Sequence, residues 1–250
     1  LVAPSSSPEV GIMELMAFNQ QPLVQEAGGM LVIQVGSAER MVFLRKVYTL
    51  FSLTIGLFAG VTWWASSSEF ALSLVAPIFR GGFFGYMILM LVMFGLLRVA
   101  AGRFPINLIA LGLFATVEGL LTGPLVTFSI GVGGTEVVAQ AAVLTGVVFG
   151  ALTIYTLTSK RDFSFMRAAL WTGFGVVFGF VLLGWLFGFN TSGWGVSAAF
   201  VLLMAGFVIY DTSNIMRHYP TTAVVPAVCA LFLDVVIMFK HIMMLLSRRK

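Results

Sequence analysis

The sequence predicts an all-α membrane protein of seven transmembrane helices. Apolar residues make up 59% of the chain and charged residues only 10%, against roughly 25% charged residues in soluble domains. Mean hydropathy is +1.02, and the charges gather between long uncharged runs instead of being spread among them. Each membrane helix takes about 20 residues, so a chain of 250 reads as one bundle. The abundance of phenylalanine and glycine, 24 and 27 residues, suits side chains facing acyl tails and backbones approaching closely. The net charge of +4 comes from basic residues at the edges of the runs, where they set orientation and meet headgroups. It does not indicate a nucleic-acid interface.

Residues 1–40 precede the first run and mix Pro4, Ser5, Ser6, Ser7, Pro8, Gln20, Gln21 and Pro22 with short apolar patches. They read as a mobile, amphiphilic cytoplasmic tail able to rest on the membrane surface. No basic region precedes an apolar stretch with a small-residue cleavage site, so no cleaved signal peptide is expected. Residues 41–250 form the transmembrane domain. The first span is Val47–Ser68, preceded by Arg40, Arg45 and Lys46, with Trp63 and Trp64 at its far interface. The second is Gly81–Leu97, closed by Arg98 and Arg103, and the third starts near Phe104 and ends around Thr122 to Pro124, enclosing Glu118.

A glycine-rich loop over 130–134 leads to a fourth span, Val137–Ser159, ended by Lys160, Arg161 and Asp162. Ala168–Tyr210 contains no charge and is too long for one helix, so Asn190, Thr191, Ser192 and Gly193 mark a turn between spans five and six. The seventh span, Thr222–Leu246, is interrupted by Asp234, Lys240 and His241.

The positive-inside rule places the tail, the Arg98–Arg103 turn, the Lys160–Arg167 turn and the Arg217 turn on one, cytoplasmic, side. Arg248, Arg249 and Lys250 dissent: either they lie on the far face or the last helix dips in and returns. Five glycine pairs spaced four apart, at 56/60, 81/85, 146/150, 175/179 and 184/188, predict close helix crossings. Cys229 lies alone in an apolar run and reads as a small buried residue.

Asp211 and Asp234 are the chemically informative residues. A charged aspartate at mid-bilayer costs on the order of 3 kcal/mol or more, so it must be partnered, protonated or wet. If Arg217–Thr222 reverses the chain, Asp211 lies about ten residues from the turn and Asp234 about thirteen, an offset of only ~4–5 Å in depth. Two neighbouring carboxylates in a poorly hydrated site cannot both ionise cheaply and titrate as a unit. They make a candidate proton switch or a place for a hard cation such as calcium, which prefers carboxylate oxygens. The plainer alternative is that each is satisfied by a neighbouring hydroxyl, amide or basic group and only holds helices together. Glu118 either faces the same interior or snorkels to the interface. Arg98 either pairs with an aspartate or marks topology.

No phosphate-cradling loop, metal-ligand spacing or nucleophile elbow is present in the sequence, so neither an enzyme nor a resident cofactor is expected.

In the last third of the chain, Tyr210, Asp211, Thr212, then Pro226, then Leu233 and Asp234 resemble the paired-aspartate signature of the Bax-inhibitor family, also described as transmembrane Bax inhibitor motif or lifeguard-type proteins. The basic turn Lys160, Arg161, Asp162, Phe163, Ser164, Phe165 is similar to that family's loop between helices four and five. The resemblance runs over about Arg40 to Arg249 in helix count and order. It implies a six-helix ring around a central seventh helix and a pH-sensitive calcium leak gated by Asp211 and Asp234, with calcium as permeating ion. A latch arginine would fall on Arg98 or Arg103. Some bacterial relatives in this family modulate membrane-bound proteases, which implies an alternative role as an interaction protein acting through the tail. Short loops suit a bacterial plasma membrane.

Overall fold

The computed structural model describes residues 29–159, 161–188 and 193–248. Eight helices follow one another: α1 Ser37–Ser67, α2 Glu69–Arg80, α3 Gly82–Ala100, α4 Ile106–Gly133, α5 Thr135–Thr158, α6 Met166–Phe187, α7 Trp194–Arg217 and α8 Val224–Ser247. In hydrocarbon every backbone polar group must be satisfied within its own segment, which is why apolar runs of this length fold as helices. Six of the eight are long and apolar enough to cross a membrane, and the bent pair α2–α3 supplies a seventh span if counted as one.

The helix α2 lies in the stretch between the first two expected spans. Ser68 accepts a hydrogen bond from the Ala71 N–H at 3.3 Å and starts it, and Ala71 and Val75, one turn apart, are its buried residues. The chain then turns at Gly81 and Gly82, where Gly82 adopts a φ of +57°, a conformation that glycine reaches without a Cβ penalty. The axes of the two helices meet at 106°.

The expected loop over 130–134 shrinks to a single residue. Pro124 lies inside α4, which continues to Gly133, and Gly134 with φ +76° separates it from α5. Near this proline the Thr122 Oγ1 donates to the Glu118 carbonyl at 2.7 Å, and the Thr127 Oγ1 donates to the Ser66 and Gly123 carbonyls. The expected turn between spans five and six does separate α6 from α7; its Asn190, Thr191 and Ser192 lie outside the described residues.

Packing centres on two long contacts, α1 running parallel to α4 and α7 antiparallel to α8. The helix α8 also packs against α1, α4 and α5, whereas α6 leans on α7. Phe232 of α8 is fully buried and wedged between Phe58 of α1 and Phe114 of α4, with ring centroids 5.7 Å from each. Two positions on, Asp234 faces the other way, toward α7, and is buried as well.

The glycine pairs behave differently from expectation. Gly56, Gly60, Gly146, Gly150, Gly175 and Gly179 have open space where a Cβ would stand, and Gly81 and Gly85 pack on their own turn. The α1–α4 crossing uses Gly119 and Gly123 instead: a Cβ at Gly123 would lie 2.7 Å from the Ala65 Cβ, and one at Gly119 would lie 2.9 Å from the Val61 Cβ. Spacing identifies a small-residue stripe, but the face that meets a neighbour is chosen by the whole bundle.

The structure gathers the basic turns at one end. The 101–104 turn, the start of α8 and Arg45 and Lys46 of α1 surround one groove, and the Arg217 Nη2 donates to the Arg161 carbonyl at 3.1 Å. The helix α8 is continuous over its 24 residues, about 36 Å at 1.5 Å per residue. It therefore does not return before Ser247, and Arg248 sits at the opposite end from Arg45.

Candidate functional site

The site is built on the connection between α7 and α8. The helix α7 ends at Arg217, where the His218 N–H bonds to the Asn214 carbonyl at 2.7 Å, and α8 starts at Val224 with Pro226 in its first turn. Proline is tolerated there because the first N–H groups of a helix have no partner within it. This short reversal brings Asp211 and Asp234 into hydrogen-bonding reach of each other. Asp234 is 5% exposed and Asp211 is half-buried.

Two carboxylates are both acceptors, so a hydrogen bond between them requires a proton. The second oxygen of Asp234, Oδ2, is buried with no hydrogen-bond partner. Leaving such an atom unsatisfied costs about 1–3 kcal/mol, more when it is charged. Among the described residues no lysine, arginine or histidine ion-pairs with either aspartate.

The surroundings of the pair include groups that the sequence alone does not single out. Tyr48 of α1 lies beside Thr153 of α5 and Thr212 of α7, the latter next in sequence to Asp211, and both threonine hydroxyls are buried without a hydrogen-bond partner. Tyr219 and Cys229 lie within electrostatic range of both carboxyls. Burial, and then the charge of Asp211, push the Tyr219 phenol in the connecting turn above its ordinary range, so it stays a donor. Of these, Tyr48, Thr153 and Tyr219 lack a sequence signal, because a tyrosine or threonine in or beside an apolar run is ordinary and only the fold brings the helices to one level.

Glu118 is buried at 2% exposure, which decides between the two readings of it. Its partners are Lys240, in a direct ion pair, and the Tyr86 hydroxyl, which donates to Oε1 at 3.5 Å. Lys240 lies six residues beyond Asp234, about 9 Å along the helix. His241 beside it stacks on Phe200 with centroids 4.2 Å apart and planes 14° from parallel. Arg98, in the last turn of α3, and Arg103, in the following turn, are both exposed and make no ion pair among the described residues.

Two segments hold the α7–α8 turn from outside. Before α1, the Val32 N–H donates to the Tyr219 carbonyl at 2.9 Å and the Thr221 N–H to the Met30 carbonyl at 3.1 Å, forming a bridge between Leu31 and Pro220. Val32 is fully buried, and Arg40 fixes the segment by donating to the Val32 and Ile33 carbonyls at 3.2 and 3.3 Å. Residues 29–40 of the expected tail are thus a docked, bridged turn followed by the start of α1, while residues 1–28 lie outside the described residues.

On the other side, the Phe163 N–H donates to the Ser213 Oγ at 3.2 Å, and His218 Nε2 lies 3.9 Å from the Asp162 carboxylate. Slight burial of Asp162 works against its ionisation. The Ser164 N–H and hydroxyl, with the His218 and Arg217 charges, outweigh it and hold the carboxyl below its ordinary range.

Among the described residues no three acidic, histidine or cysteine side chains cluster in a way that could hold a metal ion. Calcium takes about six to eight oxygen ligands, more than the two carboxyls alone supply.

Residues 40–250 match the family model described as inhibitor of apoptosis-promoting Bax1. The chain is 35% identical to the Golgi anti-apoptotic protein of vaccinia virus (strain Lister) over 215 residues, covering 83% of this chain and 86% of that protein. It is 33% identical to protein lifeguard 4 of Mus musculus over 216 residues, 83% and 85% of the two chains. It is 28% identical to the modulator of FtsH protease YccA of Escherichia coli (strain K12) over 206 residues, 82% and 89%.

Proposed function

The chain belongs to the Bax-inhibitor family, and on that premise we propose that it is a multi-pass membrane protein that passes calcium down its gradient, gated by the proton shared between Asp211 and Asp234. The observation that carries this reading is the buried carboxyl pair with one unpartnered oxygen at the meeting of α7 and α8. With the proton present the two helices are tied by a hydrogen bond. With it lost, two like charges face each other in a poorly hydrated interior and repel. A ligand shifts a two-state equilibrium only by its difference in affinity for the states, and a proton that binds between the carboxyls has that difference whenever the helices separate in one state. Calcium flux from vesicles containing the wild type, Asp211→Asn or Asp234→Asn across pH tests this reading.

A second reading rests on the relative named as a modulator of FtsH protease. In it the chain binds a membrane-bound protease and alters its activity, with residues 1–28 reaching the partner. Removing those residues and asking whether a membrane protease still co-purifies separates the two readings. Loss of the partner with intact flux, or the reverse, assigns each role to its own part of the chain.

A further inference from the structure

We infer that the groove at the basic end of the bundle is a binding site for an anionic phospholipid. It has a volume of about 810 Å³ and lies between α1, the 101–104 turn and the start of α8. Arg45 and Lys46 stand on its wall, with Thr49 and Asn107 offering hydroxyl and amide groups beside them. The rest of the lining is apolar, through Leu108 and Val225 beside these groups and Leu53 one turn beyond Thr49 along α1.

That gradient from cationic to apolar matches a lipid, whose phosphate lies at the headgroup level and whose tails run inward. Arg45 and Lys46 are exposed and have no acidic partner among the described residues, so no described residue supplies their counter-anion. The Asn107 Oδ1 is buried and lacks a hydrogen-bond donor, which suits a headgroup hydroxyl such as that of phosphatidylglycerol. Two helices, α4 and α8, begin at this groove without a side-chain cap, and the positive ends of their dipoles add to the field of the two cations. On the membrane side Leu53 and Phe104 are 66% and 80% exposed, leaving the groove open laterally to acyl chains. A soluble anion would use only the rim of such a site; a phospholipid uses all of it.

The test needs no assumption about the aspartate gate. The full chain in mild detergent is titrated with phosphatidylglycerol or with phosphatidylcholine of the same acyl chains, and bound lipid is counted by native mass spectrometry. One phosphatidylglycerol should be retained in preference to phosphatidylcholine. Arg45→Gln combined with Lys46→Gln should weaken it about ten- to thirty-fold, as should Thr49→Trp, which fills the groove and keeps both charges. Arg80→Gln, at the end of α2, should leave binding unchanged, and thermal melting checks that every variant is folded. Excess inorganic phosphate should fail to displace the lipid. Equal retention of the two lipids, undiminished binding by the folded double variant, or displacement by inorganic phosphate would each overturn the proposal.

Discussion

Lys240 is ion-paired with Glu118, whose side chain is all but fully buried. This pairing neutralises the third intramembrane acid and leaves Asp211 and Asp234 with each other. It also explains why α8 tolerates a lysine within its span, since an unpaired cation at that depth is expensive.

Breaking the pair should destabilise the fold without abolishing proton sensitivity. Lys240→Met is expected to cost about 3–5 kcal/mol, because it strands a buried carboxylate. Combining it with Glu118→Gln should recover most of that loss. Thermal melting in detergent reads the effect; a single variant as stable as the wild type would mean that the pair does not hold α4 to α8.

The α1–α4 crossing makes a contrasting pair of expectations for glycine. Gly123→Ala places a methyl 2.7 Å from the Ala65 Cβ and should cost about 1–3 kcal/mol by overpacking. Gly146→Ala meets open space and should be neutral or stabilising by up to about 1 kcal/mol through helix propensity. Equal melting temperatures for the two would contradict the assigned interface.

The docked segment before α1 depends on Arg40. Arg40→Ala removes both side-chain bonds to the Val32 and Ile33 carbonyls and should release the bridge to the α7–α8 turn. Hydrogen exchange at the Val32 and Thr221 amides should quicken markedly. Unchanged protection would mean that burial of Val32 alone suffices.

Acid should loosen the other brace. The Asp162 carboxyl is held below its ordinary range, so its contribution is present above about pH 4, the unfolded value, and is lost as pH falls through the lower folded one. Its contact with His218 is exposed, which limits the effect to about 1 kcal/mol or less. Melting curves of the wild type against Asp162→Asn should converge below about pH 4, and curves that stay parallel throughout would refute the contribution.

The membrane class and six of the span positions are legible in the sequence because the charges bracket the apolar runs and lipid leaves a helix as the available form. The approach of Asp211 to Asp234 is legible for a related reason: a short turn and a fixed rise per residue determine relative depth. The Lys240–Glu118 pair is not, since its members are 122 residues apart and lateral neighbours follow from packing. The helix α2 is hidden by its length, too short to span and too apolar to read as a loop. Gly119 and Gly123 are chosen over the other glycine pairs by which face of α4 meets α1, and Val32 binds Tyr219 through backbone groups that carry no residue signature.

The aspartate gate is tested by calcium flux from proteoliposomes between about pH 5 and 8, a window around plausible carboxyl values in a buried pair. Wild-type flux should change across that window, and Asp211→Asn and Asp234→Asn should each flatten the response, because either removes one of the two groups that share the proton. Wild-type flux and an unchanged pH response in both folded variants would contradict the gate.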